Sequence, residues 1–198
     1  KIVLVTGGRA EFTHRFLSHA KKLSAKLVVD ESPERLAVDE YFTKIRDSVH
    51  RVNTPYAMLA DNDDMPTAEV NRAVETLELR PDYVCCSGRI EGFRMWPDPV
   101  TGPHSAVTGQ YSPYDTPADY GQATANERVL AGFANSWSYY AIYRTPVLAQ
   151  IWDEVCELKL TNLQVHEKFC AMRALTLGKA RCFPSYTTLY RQHGTSQG

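Results

Sequence analysis

The opening of the chain alternates strand and helix patterns, and this alternation constrains the fold more than any other feature. Residues 1–6 (KIVLVT) are short, β-branched and followed by two glycines, which is typical of a buried strand. Residues 11–26 carry apolar side chains at helical spacing, and residues 27–29 (LVV) return to strand character. These segments predict a βαβ unit, in which the strands run parallel and the crossover is right-handed.

The same alternation continues along the rest of the chain. Helical patterns over 35–52 and 68–79 enclose a strand over 56–60, and a fourth strand follows over 82–87. The chain then resumes regular structure with a strand over 137–143, helices over 146–158 and 162–177, and short extended pieces over 180–183 and 187–190. We therefore expect an α/β fold with a mostly parallel central sheet and helices on both faces.

Residues 92–135 have a different character from the segments on either side. They are rich in proline and glycine and have few periodic apolar positions, so we expect an irregular insertion with short strands or turns. Long loops in compact domains are usually binding segments or disorder. The aromatic side chains Trp96, Tyr111, Tyr114 and Tyr120 favour a binding segment.

Composition excludes several classes of protein. The chain has 198 residues, 22 Lys+Arg against 23 Asp+Glu, and a formal net charge of −1. This balance argues against a nucleic-acid coat and against a polybasic membrane surface. No apolar run approaches the roughly 20 residues that span a bilayer, so we expect a soluble chain without a membrane span. Because the first residue is Lys1, the chain is compatible with being part of a longer polypeptide.

The five cysteines show no spacing typical of a zinc site. They are Cys85, Cys86, Cys156, Cys170 and Cys182, and none forms a CxxC pair. We interpret them as buried small hydrophobic residues in a reducing compartment, which predicts a cytoplasmic location.

An acidic run follows the predicted strand over 56–60 directly. It reads Asp61-Asn62-Asp63-Asp64, and in open parallel sheets ligands bind beyond the carboxyl ends of the strands. Carboxylates gathered there repel one another unless a cation is present, and Mg²⁺ and Mn²⁺ take such oxygens and bridge them to phosphates. The alternative is an acidic turn that caps the next helix. An EF-hand is excluded because its glycine and its distant glutamate are absent.

Polar residues also end the first two predicted strands. Thr6 ends the first and Asp30 ends the second, so in a parallel sheet both lie at the same edge as the acidic run. A carboxylate in that place suits hydrogen bonding to a ribose or a base. The sequence has no GxGxxG and no Walker A motif, which leaves a nucleotide held mainly through a metal ion as the better hypothesis.

With these residues in view, the chain resembles GT-A-fold glycosyltransferases, particularly inverting family 2-like enzymes. The segment 6–12 (TGGRAEF) is similar to their opening turn, and 28–32 (VVDES) to their second strand with its uridine-contacting Asp. The segment 54–64 (TPYAMLADNDD) resembles the strand and DxD motif, and 166–173 (HEKFCAMR) resembles the late helix that carries the catalytic base. The resemblance covers most of the chain apart from 92–135.

The resemblance implies a role for individual residues. Those that would bind the nucleotide sugar are Thr6, Arg9, Glu11, Asp30, Lys44, Asp61 and Asn62. Asp63 and His193 would ligate Mn²⁺ or Mg²⁺, and Glu167 would be the catalytic base, where relatives usually carry Asp. Judged without the resemblance, Glu167 is a solvated helical residue and His193 a surface histidine.

The implied function is a metal-dependent inverting transfer of sugar from a nucleotide-diphosphate donor, with a UDP-sugar as the expected donor, to a hydroxyl of a glycan or lipid-linked acceptor, as in polysaccharide biosynthesis. A carboxylate base on the opposite face of the sugar, with no enzyme nucleophile, gives inversion. We expect a single domain over 1–198, with a nucleotide-binding half (1–91) and an acceptor-side half (92–198). Two alternatives stay open: a metal-dependent nucleotidyltransferase, and a non-catalytic sugar-nucleotide- or carbohydrate-binding module.

Overall fold

The computed structural model describes residues 2–7, 27–32, 36–60, 65–98, 102–111, 117–134, 137–160 and 162–191. The described strands are β1 (Ile2–Gly7), β2 (Leu27–Ser32), β3 (Tyr56–Met58), β4 (Met65–Pro66), β5 (Tyr83–Asp98), β6 (Gly102–Tyr111), β7 (Ala118–Tyr120), β8 (Ile142–Arg144) and β9 (Lys179–Arg191). The described helices are α1 (Val38–His50), α2 (Val70–Leu79), α3 (Ala125–Gly132), α4 (Thr145–Glu157) and α5 (Leu163–Leu177), with a 3₁₀ turn at Trp137–Tyr140. The predicted α/β class is confirmed.

The chain forms two compact units. The first unit comprises Lys1–Ala57 with Arg144–Cys170, and the second comprises Met58–Tyr143 with Ala171–Gly198. The single-domain organisation predicted from the sequence stays a prediction. In the described residues, no helix has the length and the apolar character that crossing a bilayer requires.

In the first unit, β1 and β2 pair in parallel, with a register that runs from Ile2 opposite Leu27 to Gly7 opposite Ser32. This confirms the parallel strands of the predicted βαβ unit. The helix predicted over 11–26, and with it the handedness of the crossover, lies outside the described residues.

Helices α1 and α4 of the first unit share an apolar core. The ring centres of Phe42 and Trp152 lie 5.7 Å apart in an edge-to-face arrangement, and both side chains are buried. At the surface of the same pair, His50 Nε2 lies 2.9 Å from Asp153 Oδ1. The sequence predicted both helices because their apolar residues recur at helical spacing, and the structure confirms them to within a few residues at each end.

A mixed sheet is organised around β5 and β9. Its strand order is β3, β8, β5, β9, β4, with β6 beside β5 and β7 beside β9. β5 and β9 run parallel, whereas β6 and β8 pair antiparallel with β5, and β4 and β7 pair antiparallel with β9. The segment 92–135, expected to hold short strands or turns, contains the second half of β5, all of β6 and β7, and α3. β5 and β6 are longer than the short strands expected there.

Two sequence predictions differ from the structure in this sheet. The extended pieces predicted over 180–183 and 187–190 form one strand, because the proline between them lies where the β5–β9 register shifts, between the Ser87–Cys182 and Arg89–Tyr186 pairs. A Cβ at Gly88, within this shift, would overlap the carbonyl oxygen of Ser185, so the two strands approach too closely there for any other residue.

The strand predicted over 137–143 is correct only at its end. Trp137–Tyr140 forms the 3₁₀ turn, closed by a hydrogen bond from Ala141 N to Ser138 O, and β8 begins at Ile142. The Tyr143 hydroxyl donates to the same Ser138 carbonyl at 2.6 Å. Consecutive aromatic residues suit a strand by propensity, and this local side-chain hydrogen bond favours the turn instead.

The cysteines agree with their predicted role as small apolar residues. Cys85, Cys86, Cys170 and Cys182 are buried, Cys156 is partly exposed, and all five are free thiols. Burial raises the pKa of the Cys170 thiol to about 12, with a further contribution from the Glu167 carboxylate. Burial also raises the pKa of Cys85 well above its ordinary value. These thiols therefore stay protonated and unreactive at neutral pH.

A buried arginine joins α3 to α5 in the second unit. Arg128 is 7% exposed, and its Nε donates to Leu175 O at 2.8 Å while its Nη1 donates to Gln122 O and Ala123 O at 3.0 and 3.2 Å. The guanidinium thus satisfies carbonyl groups of a loop and of the last turn of α5, where the helix dipole favours a positive charge.

Replacing Arg128 with methionine is expected to lower the free energy of unfolding by about 2–3 kcal/mol, because it leaves buried carbonyls without donors. Urea unfolding followed by circular dichroism measures the change. Arg46→Met is the matched control, since Arg46 is part of an exposed pair with Asp47 and should cost about 1 kcal/mol or less. Equal losses in the two variants would contradict the structural role of Arg128.

Candidate functional site

The carboxyl ends of β1 and β2 lie side by side at one edge of the first unit. The register places Thr6 opposite Glu31 and Asp30 opposite Val5, so the backbone positions of Thr6 and Asp30 are close neighbours at that edge. The sequence predicted this juxtaposition from the parallel pairing of the two strands. The roles of the two side chains stay predictions.

Most of the other predicted site residues lie outside the described part of the chain. These are Arg9, Glu11, Asp61, Asn62, Asp63 and His193. Their assignment to the nucleotide sugar and to the metal therefore stays a prediction. Among the described residues, no group of three or more His, Cys, Asp or Glu side chains is arranged to hold a metal ion.

The segment that follows the acidic run is fixed to β9. β4 pairs antiparallel with β9, with Met65 opposite Leu189 and Pro66 opposite Thr188. Immediately after β4, Thr67 adds two hydrogen bonds to the same strand: its N–H donates to Thr187 O at 2.9 Å and its hydroxyl donates to Tyr186 O at 2.6 Å.

The hydroxyl of Thr67 also begins the next turn of the chain. It accepts a hydrogen bond from Glu69 N at 3.2 Å, just before α2. Thr67 therefore joins the end of the acidic run, β9 and the start of α2. The sequence indicated only that a helix begins near Pro66-Thr67, and it gave no signal that this threonine contacts β9.

The β4–β9 pairing has a consequence for the predicted metal ligands. Asp63 precedes Met65 by two residues, and His193 follows Leu189 by four residues along the chain. Consecutive Cα atoms are about 3.8 Å apart, so each ligand is tethered within a short length of chain to one paired position of the sheet. Their assignment as ligands of one metal ion stays a prediction.

Lys44 lies on α1, where it lines an open groove of about 430 Å³. The residues lining that groove are Leu36, Asp39, Glu40, Thr43, Lys44, Asp47 and Arg51. Its three carboxylates outnumber its two basic groups, and Asp47 is paired with Arg46 at 2.8 Å. This groove would not attract a diphosphate by charge alone, and the nucleotide role of Lys44 stays a prediction.

Glu167 lies on α5 and is partly exposed, directly after a buried histidine. His166 is 2% exposed, and its ring centre lies 4.6 Å from that of Phe42 and 5.8 Å from that of Trp152. The histidine therefore packs in the core of the first unit and fixes this part of α5 against α1 and α4. Glu167 is carried on a helix whose position is set by that packing, which suits a residue that must meet a substrate.

The amino end of α5 is also capped. Asn162 Oδ1 accepts hydrogen bonds from Gln164 N at 2.9 Å and from Val165 N at 3.1 Å. This satisfies two of the amide groups that the first helical turn leaves without partners. The helix is thus fixed on both sides of Glu167, by the Asn162 cap before it and by buried Cys170 after it.

Comparison with known proteins identifies the fold. No family model matches the sequence, and no curated protein matches it in sequence. The crystal structure of S. aureus TarS 1–349 in complex with UDP-GlcNAc matches 100% of this chain and 50% of its own length, with a TM-score of 0.63 and 15% identity. The crystal structure of S. aureus TarS 1–349 matches 96% of this chain and 51% of its own length, with a TM-score of 0.57 and 15% identity.

A third solved structure, the crystal structure of S. aureus TarS, matches 97% of this chain and 31% of its own length, with a TM-score of 0.60 and 14% identity. The chain therefore spans about half the length of the TarS 1–349 structures. TarS is a glycosyltransferase. At this level of identity the likeness is one of fold, and the chain has a glycosyltransferase fold of the GT-A type, as its motifs predicted.

Proposed function

We propose that this chain is the catalytic domain of a metal-dependent inverting glycosyltransferase that uses a nucleotide-diphosphate sugar, most simply a UDP-sugar. The observation that carries the proposal is the likeness in fold, over the whole chain, to a TarS structure that contains UDP-GlcNAc. The order of the motifs along the chain agrees with it, since the acidic run follows β3 and Thr6 and Asp30 lie near the carboxyl ends of two paired parallel strands.

In this proposal the donor lies along the carboxyl edge of the parallel strands. Thr6, Asp30 and Glu11 bind the nucleoside, while Asp61, Asn62 and the basic residues Arg9 and Lys44 contact the ribose or the diphosphate. Asp63 and His193 would hold Mn²⁺ or Mg²⁺, because carboxylate oxygens suit both ions and an imidazole suits Mn²⁺. A bound divalent cation supplies positive charge against the leaving diphosphate.

The transfer step needs a base on the acceptor side. Glu167 accepts the proton of the acceptor hydroxyl as that oxygen attacks the anomeric carbon, and the bond to the diphosphate breaks on the opposite face. A single displacement without an enzyme nucleophile inverts the anomeric configuration. Residues within 92–135 would shape the site for the acceptor, which we propose is a growing polysaccharide or a lipid-linked glycan.

A thermal-shift experiment tests the donor class. UDP, GDP, CMP and TDP are each added with Mn²⁺ or with a chelator, and we expect UDP with Mn²⁺ to raise the unfolding midpoint by about 5–10 °C at a hundredfold excess over its dissociation constant. The same rise with the chelator would contradict metal dependence. No response to any of the four nucleotides would contradict the proposal as a whole.

The fixed segment after the acidic run leads to a second prediction. Thr67→Val removes the hydrogen bonds to Tyr186 O and from Glu69 N but keeps the backbone bond to Thr187 O. We expect a severalfold higher Mn²⁺ concentration for half-maximal stabilisation by UDP, because the end of the acidic run is less firmly held.

Thr76→Val is the matched control for this experiment. The Thr76 hydroxyl donates to Arg72 O at 2.9 Å in an exposed hydrogen bond within α2, so the same atoms are removed from the same unit without breaking a hydrogen bond to β9. We expect Thr76→Val to leave the Mn²⁺ requirement unchanged. Equal Mn²⁺ requirements in both variants and the wild type would show that Thr67 has no part in metal binding.

A further inference from the structure

Two arginines of the second unit hold their guanidinium groups over one phenylalanine ring. The Cζ atom of Arg72, on α2, lies 4.8 Å from the centre of the Phe183 ring, and the Cζ atom of Arg181, on β9, lies 5.2 Å from the same centre. Phe183 is 2% exposed, so its ring is a fixed platform. Cation–π attraction therefore holds both positive charges against the same buried ring.

Acidic residues compensate these two charges only in part. Within the described part of the chain, Arg72 is exposed and makes no ion pair. Arg181 Nε lies 3.8 Å from Asp119 Oδ2, and Asp119 also accepts a hydrogen bond from the Tyr83 hydroxyl at 2.6 Å. The Arg181 and Asp119 side chains are 42% and 47% exposed, and such a pair contributes about 1 kcal/mol or less.

The surrounding surface adds further positive charge. Next to Asp119, Tyr83 carries the guanidinium of Arg80 over its ring at 4.8 Å. Lys179, at the start of β9, pairs with Asp82 at 2.8 Å. We call this surface the basic ridge, and its basic residues are Arg72, Arg80, Lys179 and Arg181. Within the described residues, Asp82 pairs with Arg80 and Lys179, and Asp119 pairs with Arg181.

We propose that Arg72 and Arg181 form a binding site for a phosphate group. A guanidinium over a ring keeps its in-plane N–H donors available, and their planar fork matches two oxygens of a phosphate. A bound phosphate also offsets the positive charge of the two guanidinium groups. The source of the phosphate is either a phosphate-bearing chain that continues along the ridge or a small phosphate ion. This site does not depend on the proposed glycosyltransferase function.

Calorimetric titration at low ionic strength tests the site. Short-chain polyphosphate and inorganic phosphate are titrated separately into the full chain, with a chelator present so that no divalent cation bridges phosphate to the acidic run. We expect Arg72→Gln and Arg181→Gln each to weaken binding about tenfold or more, because each removes charge-assisted hydrogen bonds. The matched control is Arg46→Gln, an exposed arginine paired with Asp47 in the first unit, which should bind as the wild type does.

The outcomes distinguish a phosphate-bearing chain from a small phosphate ion, and they distinguish a binding site from a purely structural role of the two arginines. If the variants bind only polyphosphate more weakly, the ligand is a phosphate-bearing chain. If they bind both probes more weakly, the ligand is a small phosphate ion. Each result supports the site. No binding by the wild type, or wild-type affinity in both variants with a lowered unfolding midpoint, overturns it, since the arginines then only cover the Phe183 ring. If a glutamine variant does not fold, Arg→Lys replaces it: a severalfold loss of affinity supports the site and an unchanged affinity overturns it.

Discussion

Replacing Glu167 with glutamine is expected to lower the rate of sugar transfer by about 10²–10⁴-fold while donor binding stays unchanged. Glutamine keeps the size and the hydrogen-bonding oxygen of the side chain but cannot accept the proton of the acceptor hydroxyl. Because Glu167 is partly exposed and the helix is held by buried His166, the substitution should leave the fold intact. Single-turnover transfer from the donor identified by thermal shift, together with the metal-dependent thermal shift itself, measures both quantities.

Two further variants make the Glu167 experiment specific. Glu167→Asp shortens the side chain by one methylene and restores the residue that the resembling family usually carries, so we expect partial activity. Glu157→Gln is the matched control, an exposed glutamate at the end of α4 in the same unit, and should transfer sugar at the wild-type rate. A Glu167→Gln variant with full transfer activity would show that another group is the base.

The same measurement separates the enzyme from the binding module. A non-catalytic module predicts that wild type and Glu167→Gln bind the nucleotide sugar equally and that neither transfers sugar. A nucleotidyltransferase predicts turnover of a nucleoside triphosphate, which releases pyrophosphate and is detected in the absence of any sugar donor. Sugar transfer by the wild type that is lost in Glu167→Gln would support the glycosyltransferase over both alternatives.

The sequence was sufficient for the elements whose apolar residues repeat locally. Helices α1, α2, α4 and α5 were predicted to within a few residues because each has an amphipathic or apolar pattern of its own. The parallel pairing of β1 with β2 followed from the helical pattern between them, since a crossover long enough to hold a helix returns the chain in the same direction. The continuous β9 was not predicted because it depends on pairing with β5, and the 3₁₀ turn at Trp137–Tyr140 was not predicted because its aromatic residues have a strand propensity that a side-chain hydrogen bond from Tyr143 outweighs.

In the candidate site, too, the sequence predicted features that depend on neighbouring residues and missed contacts between residues that are far apart along the chain. The sequence placed Thr6 and Asp30 at one edge because the ends of parallel strands coincide. It gave no indication of the anchoring by Thr67, since the Tyr186 carbonyl that this threonine contacts lies 119 residues further along the chain. The sequence also did not predict the packing of His166 against Phe42 and Trp152, because a histidine next to a glutamate suggests a functional pair rather than a core residue.

Replacing Asp63 with asparagine is expected to abolish the metal-dependent stabilisation by UDP and to reduce transfer by at least about 10²-fold. Asparagine keeps the side-chain oxygen but removes the negative charge, so it should hold a divalent cation far more weakly. Titrating Mn²⁺ at saturating UDP and recording the unfolding midpoint measures the change.

The acidic run itself provides the control for this last experiment. Asp64→Asn removes one charge from the neighbouring residue, and we expect a much smaller change in the Mn²⁺ titration because only Asp61 and Asp63 occupy the DxD positions. Removing a charge from four clustered polar residues also lessens their mutual repulsion, so the unfolding midpoint of Asp63→Asn without metal should equal or exceed that of the wild type. A lowered midpoint without metal would instead indicate a structural role for Asp63. Unchanged Mn²⁺ dependence in Asp63→Asn would remove the metal site from the proposal.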